Sequence, residues 1–123
     1  MKKITILLFF ILAPIFTHAQ ASQGFTLLKN VSTLTYTDST CPDMTSCFYE
    51  VTALDSTGHE SQPAPCASGQ LCYNGNQAVA QMPSSGSHSV TLTWTASTTP
   101  SVTYNIYSHI GPLPPTGLGA IVN

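Results

Sequence analysis

Positive charge is nearly missing from this chain. Of its 123 residues three are basic, none of them arginine, and Asp plus Glu number five. Lys2 and Lys3 lie at the extreme N-terminus, so without that end Lys29 is the only base left. A single cation cannot neutralise a row of phosphates, which excludes nucleic-acid binding. For the same reason no basic surface is available to anionic lipid. Long apolar runs are also missing. The longest, Ile4 to Phe16, is interrupted by Thr5 and Pro14 and falls short of the ~20 residues a spanning helix needs. After residue 22 no stretch keeps a 3.6-residue apolar period, so helices are not expected. The chain contains no C-x-x-C, no H-E-x-x-H, no phosphate loop and no Gly-x-Ser-x-Gly elbow, which removes the short motifs of redox, metalloprotease, nucleotide and hydrolase chemistry.

What is present argues for a folded domain. The apolar share of 42% with 9% aromatics is too high for disorder. Met1-Lys2-Lys3 is a short basic start of bacterial type, and the apolar run follows it at once. Thr17-His18-Ala19 and Ala19-Gln20-Ala21 then put small residues where a signal peptidase reads them. This is the pattern of a secretory signal peptide. Cleavage is expected after Ala19 or Ala21, and residues 1–21 are assigned to the signal. No cysteine precedes Cys41, which speaks against a lipid anchor. The expected location is secreted, periplasmic or at the cell surface, with no membrane span after cleavage. Asn30-Val31-Ser32 fits a glycosylation acceptor, without consequence in a bacterial host.

The four cysteines agree with export. Cys41 and Cys47 are spaced C-x5-C, as are Cys66 and Cys72, with turn formers inside each interval. An even cysteine count in a small exported chain reads as two disulfides. Of the three connectivities, local pairing is favoured because the turns bring the Cα atoms within bridging distance. A four-cysteine zinc site would want two to four residues between paired ligands, so x5 is too wide.

The rest of the chain reads as strands. Val90, Leu92, Trp94 and Ala96 alternate with polar residues, mostly Thr, over Ser89–Ala96, the period of a strand with one buried face. Thr103 to Tyr107 puts Tyr104 and Ile106 on one face. Cys47 to Leu54 puts Tyr49, Val51 and Ala53 on one face, with Phe48 and Leu54 on the other. Glu50 in that run is expected to face solvent. Leu34–Tyr36, Phe25–Leu28 and Gln77–Met82 are shorter candidates, and turn clusters separate the runs at Asp55–Gly58, Asn74–Asn76, Pro83–Gly86 and Gly111–Pro112. Many short strands at this spacing indicate an all-β sandwich.

Two segments resemble fibronectin type III domains of secreted bacterial proteins. Phe48-Tyr-Glu-Val-Thr-Ala-Leu-Asp-Ser-Thr-Gly-His-Glu-Ser61 is similar to strand F, the F–G loop and the start of strand G. Ser87-His-Ser-Val-Thr-Leu-Thr-Trp-Thr-Ala-Ser97 with Val102-Thr-Tyr-Asn-Ile-Tyr107 is similar to strands B and C. The resemblance implies an immunoglobulin-like, fibronectin type III-like β-sandwich in which Trp94, Tyr49, Val51, Tyr104 and Ile106 are core residues. The order departs from the family, whose strands run A, B, C, C′, E, F, G. Here residues 22–82 hold the back half (C′/E-F-G-like) and residues 83–123 the front half (B-C-like), of the same sandwich or of a second one. Pro63 to Asn76 looks like an insertion into the G region. From Met82 to Ser89 the chain reaches about 23 Å, enough to cross between sheets and too little to lay down a full strand A. The chain is therefore a permuted sandwich with strand A missing or vestigial, a unit that exchanges strands between chains, or an incomplete piece of a tandem array with unsatisfied edges.

The inventory for catalysis is thin. His59, His88 and His109 remain after signal removal, with Asp38, Asp43, Glu50, Asp55 and Glu60. Asp55, Thr57, His59 and Glu60 fall in the F–G-like loop and form the candidate binding loop, with too few carboxylates for calcium. Gly111-Pro-Leu-Pro-Pro115 reads as a rigid extended loop. No catalytic residue, metal or cofactor is expected. The favoured function is a non-enzymatic exported module for adhesion, spacing or assembly, with an extracellular protein as partner or self-association by strand exchange. The alternative is a carbohydrate-binding accessory module of a secreted polysaccharide-active system, with Tyr73, Tyr107 and Phe48 as the rings available to a sugar.

Overall fold

The computed structural model describes residues 21–112 and 119–122. The signal assignment, Ala21 apart, lies outside the described residues, as do residues 113–115 of the Pro-rich segment. Every described element is a strand: β1 (Thr26–Val31), β2 (Thr35–Asp38), β3 (Ser46–Leu54), β4 (Cys72–Tyr73), β5 (Gln77–Gln81), β6 (Val90–Thr93) and β7 (Thr103–Gly111). Among the described residues no helix is long and apolar enough to cross a membrane.

The strands form two antiparallel sheets, one of five strands in the order β1-β7-β3-β5-β4 and one of two strands, β2-β6. The long pair β3–β7 is the spine, in register from Ser46↔Gly111 to Leu54↔Thr103. Cys47, Tyr49, Leu92, Ile106 and Cys41 are buried between the sheets, with Leu28, Val31, Tyr36, Val51, Ala78, Ala80, Met82, Val90 and Trp94 packed against them. These residues come from both sheets, as in a β-sandwich. Complete burial of Ile106 contributes about 1.5–3 kcal/mol of hydrophobic stabilisation.

The edge of β3 opposite β7 is shared by two segments. Ser61 N donates to Ala53 O at 2.8 Å and Ala64 N to Val51 O at 2.8 Å, beside the Leu54↔Glu60 bridge. Lower down the same edge, β5 pairs Ser46–Tyr49. Residues between them loop out and carry the Cys66–Cys72 disulfide, and β4 returns to pair β5 at Cys72↔Ala78 and Tyr73↔Gln77. Asn74 and Gly75 make this return with φ of 52° and 78°, the doubly left-handed turn that Asn-Gly tolerates at low cost.

The step from β5 to β6 contains no strand. Met82 N donates to Thr45 O at 2.9 Å and Met44 N to Pro83 O at 3.1 Å, so the chain leaves along the pole. His88 reaches Cys41 O through Nε2 at 3.1 Å as β6 begins. The second disulfide, Cys41–Cys47, joins β3 to the connection that follows β2.

Two expectations need correction. The alternating run over Ser89–Ala96 is a strand only to Thr93, and Ala96 is exposed; Trp94 keeps one ladder bond, from its N to Leu34 O at 3.2 Å. Glu50 does not face solvent. It is 1% exposed, because that face of the large sheet is overlaid by the Ser22–Phe25 segment. Ser22 and Gln77 direct their donors onto the carboxylate.

Candidate functional site

Among the described residues β6 is paired on one side only. The bond from Trp94 N points toward the β2 side, and Thr35 Oγ1 donates to Leu92 O from that side at 3.0 Å. By the alternation of an antiparallel ladder, the N–H and C=O groups of Thr91 and Thr93 point to the other edge. That edge borders a cleft of about 630 Å³, floored by Tyr49, Val51, Leu92 and Trp94 and walled by Ala64 and Cys66 of the looped-out segment. Among the described residues no charged side chain lines it. Trp94 packs its ring on Tyr104 at 5.6 Å between centroids. Its Nε1–H is buried and makes no hydrogen bond, an arrangement that costs about 1–3 kcal/mol when a donor is left dry. The cleft therefore offers backbone donors and acceptors above an apolar floor. These are the requirements for receiving an extended strand.

The core residues of the family pattern distribute unevenly around this site. Tyr49, Tyr104 and Ile106 are buried, whereas Val51 and Trp94 are half-buried and open to the cleft. Tyr104 is fixed by accepting from Ser97 N at 2.9 Å. Tyr49 donates its hydroxyl to Asp38 Oδ2 at 2.7 Å. Burial raises the Asp38 carboxyl, but hydrogen bonds from Thr40 and Tyr49 outweigh it and hold the group below its ordinary value. Burial and the neighbouring Asp38 push the Tyr49 phenol far up.

The candidate binding loop does not hold together as a set. Asp55 Oδ1 accepts from Thr57 N at 2.9 Å, Thr57 Oγ1 at 2.7 Å and His59 N at 2.9 Å. The hydrogen bonds from Thr57 and from the His59 backbone lower the Asp55 carboxyl to about 2. Asp55, Thr57 and His59 thus build the turn itself and spend Oδ1 on it. Glu60 is separated from them. It sits on the outer face of the large sheet, where Oε1 accepts from Thr52, from Tyr107 at 2.6 Å and from Asn105 at 3.1 Å. Burial and Glu60 push the Tyr107 phenol up to about 12. Among the described residues no three His, Cys, Asp or Glu gather as a metal site.

The three rings considered for sugar binding are also dispersed in state. Phe48 is 8% exposed, and the Tyr107 hydroxyl is engaged by Glu60, while Tyr73 is 48% exposed. Both cysteine pairs form local disulfides, Cys41–Cys47 and Cys66–Cys72. Sequence reasoning missed the polar layer of Glu50, Thr52, Gln77 and Asn105, all buried. The usable signal was the unbroken polar alternation Glu50–Thr52 facing Asn105–Tyr107, which pairs two polar rows across one ladder. No protein-family model, curated protein or solved structure matches the chain.

Proposed function

We propose that this is an exported, non-enzymatic β-sandwich module of fibronectin type III-like topology, circularly permuted and lacking strand A, whose role is assembly through the open edge of β6. Three observations support the topology. The order β1-β7-β3-β5 corresponds to C′-C-F-G, β2-β6 corresponds to E-B, and the chain crosses from β5 to β6 without another strand. Export rests on the basic and apolar start of the sequence and agrees with two disulfides. The observation that carries the assembly role is the β6 edge, unpaired among the described residues, above a cleft that no charged side chain of those residues lines.

The occupant proposed is the C-terminal segment of a second copy. Ala120-Ile121-Val122 lies in no strand, carries no charge, and exposes Ile121 and Val122 at 88% and 97%. Laid against β6, such a segment would find ladder partners at Thr91 and Thr93, and its apolar side chains would enter the cleft. Head-to-tail exchange of this kind is heterologous and extends unless the geometry closes a ring. The polysaccharide reading would rest on Tyr73 alone, and a single exposed ring is a small platform.

The test is the solution mass of the oxidised chain by light scattering over a concentration series, beside Thr93→Pro. Proline at 93 removes a donor that points away from β2, so it is tolerated on an edge strand while blocking addition there. Growth of mass with concentration, lost in Thr93→Pro, supports the proposal. A monomer at every concentration overturns it.

A further inference from the structure

Glu50 is a carboxylate buried to 1% exposure on the middle strand of the large sheet. Burying an ionised carboxylate costs many kcal/mol unless a counter-charge and hydrogen bonds offset it. Among the described residues no Lys, Arg or His pairs with it, for the ion pairs present are His59–Asp55 and His88–Asp43, and Lys29 is exposed. Its cross-strand neighbour Tyr107 gives its hydroxyl to Glu60 instead. Three donors reach Glu50: Gln77 Nε2 on Oε1 at 2.9 Å, Ser22 Oγ on Oε1 at 2.5 Å, and the Ser22 main-chain nitrogen on Oε2 at 2.8 Å.

The last of these is the informative one. Ser22 directly follows Ala19-Gln20-Ala21, one of the two places where the sequence presents small residues to a signal peptidase. The segment is anchored on the sheet beyond that point. Phe25 N donates to Ser22 O at 3.1 Å, Gly24 O accepts from His109 Nδ1 at 3.1 Å if that nitrogen carries the proton, and the Phe25 ring lies 5.7 Å from the His109 ring. The nitrogen aimed at a buried carboxylate is therefore the one that hydrolysis after Ala21 would free.

We propose that Ser22 is the first residue of the mature protein and that its α-ammonium is the counter-charge of Glu50. This rests on the export reading above. In the step, water adds across the Ala21–Ser22 amide. The carboxylate leaves with Ala21, and the amine stays on Ser22 and takes up a proton at neutral pH. A neutral amide donor becomes a cation within hydrogen-bonding distance of Glu50, so removal of the leader also completes the folded sheet. Cleavage after Ala19 would leave Ser22 N as an amide and Glu50 without a cation, which distinguishes the two sites by their effect on stability.

The test has two arms. N-terminal sequencing of the exported protein should begin at Ser22; a start at Gln20 overturns the processing assignment. A chain that is not exported or not cleaved overturns the export reading and that assignment with it. The ion pair is decided separately, on oxidised chains released from a fusion by a specific protease. The chain starting at Ser22 should have a folding equilibrium constant about tenfold or more above the one starting at Gln20. Acetylating the Ser22 amine should remove the advantage without touching any side chain. In Glu50→Gln the two starts should agree within about twofold. Equal stability of the Ser22 and Gln20 chains, or an advantage that survives acetylation, overturns the ion pair whatever the export result. If Glu50→Gln does not fold, the acetylated chain decides.

Discussion

Tyr49 and Asp38 join the two sheets by a buried hydrogen bond, the phenol on β3 donating to the carboxylate at the end of β2 at 2.7 Å. Asp38 Oδ1 is held in turn by Thr40, through its N at 2.9 Å and Oγ1 at 2.6 Å. The small sheet is also attached by apolar packing, by the Cys41–Cys47 loop and, just beyond β6, by the bond from Ser97 N to the Tyr104 hydroxyl. Tyr49→Phe keeps the ring and removes only the donor to a charged acceptor. The expected loss is about 1.5–3 kcal/mol, measured as a lower urea midpoint with an unchanged slope. A cost below about half a kcal/mol would mean that Thr40 alone satisfies the carboxylate.

The acid arm of stability follows from the same contact. Asp38 lies below its ordinary 3.8 and Asp55 is lowered to about 2. A carboxyl depressed by folding contributes stability above its unfolded value and loses it as pH falls through the folded value. Stability should therefore hold above about pH 4 and fall as pH drops below it. Asp55 is solvent-exposed and screened, so Asp38 dominates this slope. Asp38→Asn should flatten it, and an unaltered slope in a pH series of thermal midpoints would contradict the assignment.

The two disulfides should separate under mild reductant. Cys41 and Cys47 are 4% and 1% exposed, whereas Cys66 and Cys72 lie half-buried on the looped-out segment. Thiolate exchange needs access to a sulfur. Cys66–Cys72 is thus expected to open first, read by alkylation and mass mapping over time. Each bridge closes a short loop, worth about 2 kcal/mol on the chain-entropy scale. Cys41–Cys47 sits in the core, so its loss should lower the thermal midpoint further than loss of Cys66–Cys72. Reduction of the buried pair first would contradict this.

Strand content was legible where apolar periodicity was strong. The run Cys47–Leu54 and the segment Thr103–Tyr107 fall within β3 and β7, because Tyr49, Val51, Tyr104 and Ile106 mark a face at period two. β7 continues to Gly111 although Ser108 and His109 are polar. Pairing with β3, not propensity, extends it. β4 was not legible at all. It is two residues long and exists because the Asn74–Gly75 turn folds Tyr73 back on Gln77. The outer polar layer escaped for a different reason. Glu50 and Thr52 look solvated in an alternating strand, and only the distant segments around Ser22 and Glu60, which local periodicity cannot place, take them out of water. The open β6 edge was implied by the short Met82–Ser89 step, while the cleft beneath it depends on where residues 64–66 are looped out.

Glu60 holds the outer layer at the other end of the sheet. Its Oε1 gathers Thr52, Asn105 and Tyr107 from two strands, and Asn105 Oδ1 accepts from Asn30 Nδ2 on β1 at 2.7 Å. One carboxylate thus ties β3, β7 and, through Asn105, β1. Glu60→Ala leaves three part-buried donors without their acceptor, and the expected cost is about 2–3 kcal/mol. A second readout separates this from a merely local loss. The Tyr107 phenol is held up to about 12 by burial and by Glu60. Folding raises it, so its contribution is complete below its ordinary 10.0 and is lost as pH climbs toward about 12. Removing Glu60 should move the Tyr107 titration back toward 10, seen as earlier phenolate absorbance against a Tyr107→Phe control. Destabilisation with no change in that titration would show that Glu60 supports the strand end through the Leu54↔Glu60 bridge and not through the network.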